Sequence, residues 1–109
     1  MKLSVGIITF NEERIIAKTI DAVKNIAGEI VIIDSNSTDK TVEIAKSKGA
    51  KVITQSWLGY GKQKNFMIDN CSGEWILSID ADEIISQELA NEISEEIKKE
   101  NNISEVYEL

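Results

Sequence analysis

Apolar and polar positions alternate along the chain in two rhythms. Leu3–Thr9 is a short run rich in β-branched residues, long enough for a strand. Asn11 then reads as a helix cap, with Glu12 and Glu13 in the first turn. Ile16, Ile20, Val23 and Ala27 recur at helical spacing, which predicts a helix over residues 12–26 that Gly28 ends. Glu29–Asp34, EIVIID, is a second strand of continuous apolar character. Ser37 or Thr38 opens a second helix carrying Val42, Ile44 and Ala45, closed by Gly49. Lys51–Thr54 reads as a third strand, and residues 62–71 as a third helix with Phe66 and Met67 facing inward. Residues 74–79 form a fourth strand, and residues 86–99 a fourth helix with Leu89, Ile93 and Ile97 on one face. Ile103, Val106 and Tyr107 begin a further strand that the chain abandons, so the sequence is expected to be part of a longer protein.

That order is βαβαβαβα. Strands apolar on both faces, separated by amphipathic helices, imply an α/β fold with a Rossmann-like parallel sheet covered by helices on both sides. Residues 1–109 make one domain, with no internal repeat and no linker. In such sheets ligands bind beyond the carboxyl ends of the strands. Residues 9–12, 34–37, 55–56 and 80–83 occupy those ends.

Composition narrows the partners. Apolar residues make up 42% of the chain, enough for a packed core, and the net charge is −7. An acidic domain lacks the basic face that nucleic acid demands, and it carries no polybasic membrane anchor. Cys71 is the sole cysteine and histidine is absent. An internal disulfide, a structural zinc site and a Ser-His-Asp or Cys-His mechanism are thereby excluded within this chain. A reducing, cytoplasmic compartment fits, and Cys71 reads as a small buried hydrophobe. The amino terminus is too short and too soon charged for a secretory signal, and no stretch approaches the ~20 apolar residues of a membrane span.

The candidate chemistry lies in LSIDADE, residues 77–83, where an apolar run ends in Asp80, Asp82 and Glu83. If the backbone stays extended there, Asp80 and Asp82 leave the strand on one side. Two carboxylates so placed suit a hard divalent cation such as Mg²⁺, whose shell is completed by water and substrate phosphates. Asp-x-Asp alone is a weak signal, and its position at the ligand rim is what strengthens it. Asp34 ends the second strand, where an acid can hold ribose hydroxyls, while Asp39 reads as an organiser of the loop or helix start. In WLGYGKQKN, residues 57–65, Gly59 and Gly61 loosen the backbone, and Lys62 and Lys64 are placed to meet phosphate at a helix entrance. Trp57 and Tyr60 are suited either to stack on a base or to cover the sheet edge. The loop after the first strand, TFNEE, has no G-x-G-x-x-G pattern, which argues against a dinucleotide site, and no Walker loop is present.

Taken in order, IITFNEE, IVIIDSNSTDKT, GKQKN and GEWILSIDADE resemble the family 2 glycosyltransferases with the GT-A fold, over residues 3–85. The pairing of NEE with DSNSTDKT and W-x-G-Y-G-x-Q-K-N is most similar to lipopolysaccharide core β-glucosyltransferase-like members. The resemblance implies transfer of a sugar from a nucleotide-diphosphate donor, a UDP-sugar, to the hydroxyl of a glycan or lipid-linked acceptor. It assigns nucleotide contacts to Thr9, Asn11 and Glu12, and a uridine contact to Asp34. It places Asp80 toward the nucleoside and makes Asp82 the ligand of Mn²⁺ or Mg²⁺. Lys64-Asn65 stands where Arg-Asn is common, and Ser35 where many members carry a second acid. No catalytic base is matched; it is expected beyond Leu109 with the acceptor half. This chain alone is therefore expected to bind nucleotide and transfer no sugar, and its open sheet edge to favour self-association. The full-length protein is expected at the inner face of the membrane, as a peripheral protein.

Two other classes share some features. A receiver-type phosphoacceptor domain also has parallel strands with acids at their ends, here Glu12, Glu13 and Asp34 or Asp80, but needs a later strand bearing a lysine. A nucleotidyltransferase shares the sheet and the metal-binding acids but opens with a glycine-rich basic loop, which TFNEERI is not.

Overall fold

A computed structural model describes residues 3–99 and 105–108. Its elements run β1 (Leu3–Thr9), α1 (Ile16–Val23), β2 (Glu29–Asp34), α2 (Thr41–Ser47), β3 (Lys51–Thr54), α3 (Tyr60–Asp69), β4 (Trp75–Asp80), α4 (Gln87–Lys99) and β5 (Glu105–Glu108). All strand pairs are parallel, in the order β3-β2-β1-β4-β5. This is the Rossmann-like α/β sheet that the alternating periods imply.

The order decides two matters. Receiver domains follow the 2-1-3-4-5 arrangement, in which β1 lies between β2 and β3. Here β1 lies between β2 and β4, which removes the receiver reading. The order also reverses beside β1, so the crevice between the carboxyl ends of β1 and β4 is the switch point where such sheets take ligands. A second correction concerns the edge. The strand expected to be abandoned forms, and pairs with β4 from Trp75 to Ser78. A short segment with Val106 and Tyr107 suffices for an edge strand, although Ile103, also assigned to it, lies outside the described residues.

Strand parity sorts the core. Leu3, Val5, Ile7, Ile30, Ile32, Trp75, Leu77 and Ile79 pack on one face of the sheet with Ile16 and Ile20 of α1, Ala45 of α2, and Ala90 and Ile97 of α4. Val31 and Ile33 face the other way, onto Met67 of α3 with Phe66 and Cys71 beside it. Gly6 belongs to this second face. A Cβ there would lie 2.0 Å from the Met67 sulfur. The glycine is needed because α3 is pressed against β1.

Helix starts differ from the sequence expectation. α1 begins at Ile16 rather than 12, and α2 at Thr41 rather than 37 or 38. Tertiary hydrogen bonds claim the intervening backbone, as described below. α4 starts where expected, and the Ser86 hydroxyl caps it by accepting from the Leu89 N–H at 3.1 Å.

Two outcomes follow from this packing. Gly6→Ala should destabilise the chain by roughly 1–3 kcal/mol in urea titration, through overpacking against Met67. Combining it with Met67→Ala should cost less than the sum of the two single changes. Cys71 is half-buried, and burial, then the charge of Glu29, pushes its thiol up to about 11 against the hydrogen bond with Ser4. At pH 8 its thiolate fraction, and hence its alkylation rate, should be about 100-fold below that of a free cysteine, and should climb as pH approaches 11.

Candidate nucleotide-binding cleft

The cleft at the switch point has a volume of ≈ 210 Å³. β1 and its loop supply Ile8 and Glu12, β4 and its turn supply residues 78–82, and Trp57, Tyr60 and Lys64 form the opposite wall. Parity explains the membership. Ser78 and Asp80 alternate with Leu77 and Ile79, which face the larger core, so they open on the α3 side where Tyr60 and Lys64 stand.

Asp80 is the last residue of β4, and the strand stops there. The Glu83 N–H donates to the Asp80 carbonyl at 3.0 Å, and the Asp80 N–H donates to Glu83 Oε1 at 3.0 Å. Thr19 of α1, fully buried, donates its hydroxyl to the Ala81 carbonyl at 2.6 Å and pins this turn to the body. The backbone between Asp80 and Asp82 is therefore turned, not extended. The alternation argument for the two carboxylates does not apply, yet both line the cleft and both are exposed.

Glu12 shares that space. Burial, then the negative charge of Asp82, raises its carboxyl above the ordinary range, against a backbone hydrogen bond with Phe10 and with a further upward push from Asp39. Opposite the acids, the Lys64 ammonium lies 4.7 Å from the centre of the Tyr60 ring. No group of three His, Cys, Asp or Glu side chains among the described residues is arranged to hold a metal. The donor set is thus two hard carboxylates at an open cleft. It fits Mn²⁺ or Mg²⁺ only with the remaining positions taken by water and ligand phosphate, which is the usual habit of Mg²⁺.

The other residues assigned to the nucleotide lie elsewhere. Asp34 and Thr9 share the face of the larger core. The Asp34 carboxylate is 1% exposed and accepts from the Thr9 hydroxyl at 2.7 Å, the Ser37 N–H at 2.8 Å and the Ser37 hydroxyl at 2.6 Å. A nucleoside would meet the loop that Asp34 holds before it met Asp34 itself. Asn11 does not cap α1. Its φ is 51°, and its side-chain carbonyl accepts from the N–H groups of Thr38 (2.8 Å) and Asp39 (3.3 Å). Its own N–H donates to the Ser37 hydroxyl at 2.8 Å. The Glu12 N–H reaches Thr41 Oγ1 at 2.7 Å, and the Glu13 N–H reaches Asp39 Oδ2 at 3.2 Å. The loops after β1 and β2 are sewn together. Asp39 is a structural organiser. Burial raises its carboxyl, but hydrogen bonds from Thr41 and Glu13 outweigh that and hold it below the ordinary range.

Of the assigned residues, then, Glu12, Lys64, Asp80 and Asp82 meet in one cleft, whereas Thr9, Asn11 and Asp34 build the rim beside it. Lys62 is exposed and does not line it. Trp57 and Tyr60 do line it, and they are 57% and 56% exposed. They wall the cleft rather than cover the sheet edge. Gln63 is a residue that the sequence did not single out. It is 0% exposed, and its amide bonds to Ser35, Gln55 and Leu58. A polar residue amid the lysines of GKQKN carries no sign of burial.

The glycosyl transferase family 2 model matches residues 4–108. An uncharacterized glycosyltransferase of Rickettsia typhi is 55% identical over 92 residues, covering 84% of this chain and 32% of that protein. The lipopolysaccharide core biosynthesis glycosyltransferase LpsC of Rhizobium meliloti is 38% identical over 94 residues, covering 82% of this chain and 34% of that protein. Glucosyl-3-phosphoglycerate synthase of Mycobacterium tuberculosis, solved with Mn²⁺, UDP and glucosyl-3-phosphoglycerate, superposes with a TM-score of 0.65 at 27% identity. That match covers 73% of this chain and 33% of the synthase. The chain thus spans about a third of the length of these proteins. With the family model matched from β1 to β5 and a relative 55% identical over 84% of this chain, the chain belongs to glycosyl transferase family 2.

Proposed function

We propose that the cleft binds the donor of a metal-assisted glycosyl transfer, a nucleoside-diphosphate sugar with UDP as its nucleotide. The observation that carries this is the meeting of Asp80 and Asp82 with Lys64, beside exposed Trp57 and Tyr60, at the switch point of the sheet. A diphosphate presents charge to both kinds of group at once, directly to the lysine and through a cation to the acids. The Mn²⁺ and UDP bound by the mycobacterial synthase support the pairing of metal and nucleotide. Mn²⁺ or Mg²⁺ held by Asp82, with Asp80 beside it, would offset the charge that gathers on the departing diphosphate.

The chain's own groups have separable tasks. Lys64 lies in the first turns of α3 and places a positive charge near the phosphates. Trp57 and Tyr60 offer flat apolar surface to a base or sugar ring. Thr9, Asn11 and Asp34 fix the rim through the loop network, and Glu12 presents its backbone to that network and its carboxyl to the cleft. The reaction is displacement at the anomeric carbon by an acceptor hydroxyl, with UDP leaving. The LpsC relative, named for lipopolysaccharide core biosynthesis, supports an acceptor in a cell-envelope glycan. The acceptor and the base that takes its proton are assigned to the remainder of a longer protein, in keeping with the relatives' length. No helix among the described residues is long and apolar enough to cross a membrane.

Calorimetric titration tests these roles. Asp82→Asn should weaken UDP binding in the presence of Mn²⁺ by roughly 1–3 kcal/mol and leave metal-free UDP binding near the parent value. Equal affinity of both chains for UDP with Mn²⁺ would refute the metal role. Asp34→Ala should weaken UDP and uridine alike, with or without Mn²⁺, and lower stability by about 1–3 kcal/mol, because buried donors lose their acceptor. A loss seen only with Mn²⁺ would contradict its place on the nucleoside side.

A further inference from the structure

Gln63 sits in the second turn of α3, on a helix whose neighbouring residues Gly61 and Lys62 are exposed, yet it is 0% exposed itself. Every polar atom of its side chain has a partner. Nε2 donates to the Ser35 hydroxyl at 3.0 Å and to the Gln55 carbonyl at 3.1 Å, and Oε1 accepts from the Leu58 N–H at 3.1 Å. The amide orientation is fixed by these groups. Exchanging N and O would set an NH₂ against the Leu58 N–H and an oxygen against the Gln55 carbonyl. One side chain therefore ties α3 to the loop after β2, to the end of β3, and to the middle of the loop that carries Trp57.

That last tie has a consequence at the ligand rim. Trp57 is 57% exposed, and its loop runs into Gly59, whose φ of 96° lies in the left-handed region. Trp57 lines the cleft with Asp80 and Asp82 on one side. On the other it lines a mostly apolar hollow of ≈ 390 Å³ with Phe10 and Ser35. Trp57 thus lines both spaces. An exposed indole on a glycine-containing loop has little to hold it except its backbone. Its neighbour Leu58 is held by Gln63, as is Ser35 across the hollow.

We infer that Gln63 is the positioning residue of the nucleotide site: it fixes Trp57 and joins the two rim loops through Ser35, so that the aromatic wall is set before the ligand arrives. The ligand half of this inference rests on the proposed nucleotide function; the tether half does not. Pre-setting the wall raises affinity by sparing the cost of ordering it during binding.

The experiment labels the 109-residue chain with 5-fluorotryptophan, which gives one ¹⁹F line each for exposed Trp57 and buried Trp75. In Gln63→Met, which keeps the length and removes all three bonds, the Trp57 line should sharpen and move toward the free-amino-acid position. The Trp75 line should stay in place, and UDP binding with Mn²⁺ should weaken about tenfold. Ser35→Ala cuts one of the three bonds and should move the Trp57 line less than Gln63→Met does; a shift as large as that of Gln63→Met overturns the Leu58 tether. A Trp57 line unmoved in a folded Gln63→Met chain overturns the inference. If Gln63→Met does not fold, the Leu58 amide of the parent decides. Protection from exchange on the order of 10²-fold supports the tether, and exchange at the open-chain rate overturns it. A parent chain that shows the tether but does not bind UDP sinks the nucleotide reading and the ligand half with it. A parent that binds UDP as tightly as a folded Gln63→Met chain sinks the positioning role alone.

Discussion

A carboxylate withdrawn from water is the constraint around which the ligand rim is built. Asp34 ends β2 at 1% exposure, and a buried charge is tolerated only when hydrogen bonds replace its hydration. Thr9 and Ser37 provide them. Meeting that demand fixes the end of β1 and the first residues after β2, and the next layer follows from it. Ser37 receives the Asn11 N–H, Asn11 receives Thr38 and Asp39, and Asp39 receives Thr41 and Glu13. Short polar side chains thus satisfy backbone N–H groups in the segments that lead into α1 and α2, and two loops become one edge.

The cleft depends on a different property of the same sheet. Alternation along a strand sends Thr9 and Asp34 to the face covered by α1, α2 and α4, and Ser78 and Asp80 to the face covered by α3. Asp34 and the cleft-lining Asp80 are therefore on opposite faces of the sheet. One has its hydration replaced by hydrogen bonds, and the other, with Asp82, is exposed in the open cleft that Lys64 also lines. A fixed negative cluster facing a lysine is suited to a ligand that brings a cation and an anion together, and a metal–diphosphate pair is such a ligand.

Strands were legible from the sequence almost to the residue, because central strands buried on both faces are mostly apolar and the edge strand β3 is a short β-branched run bounded by polar residues. EIVIID coincides with β2, and KVIT with β3. The apolar faces of the helices were legible for the same reason: Ile16, Ile20, Val23 and Ile97 are all buried. The acids at the strand ends were legible as rim residues, because a parallel sheet puts every carboxyl end on one side. The last strand was underestimated. β5 takes its stability from pairing with β4, and a single sequence does not display a pairing partner.

What the sequence determined by itself was the alternation of elements, the parallel sheet, and a rim bearing Glu12, Asp34, Lys64, Asp80 and Asp82. These follow from local periodicity and from a connectivity rule that needs no coordinates. Only the tertiary structure decided which acid is inside and which outside. Asp34 and Asp80 both end apolar strands, and the strand pattern does not distinguish them. Their fates diverge because Thr9 and Ser37 close over one, while the turn held by Thr19 and Glu83 leaves the other open. The same holds for Gln63 and Asn11. A glutamine among lysines and an asparagine after a strand look like surface and cap. Asn11 bridges to Thr38, and Gln63 to Ser35, partners about 20–30 residues away in the chain, and hydrogen bonds at that separation exist only once the strands have been laid side by side.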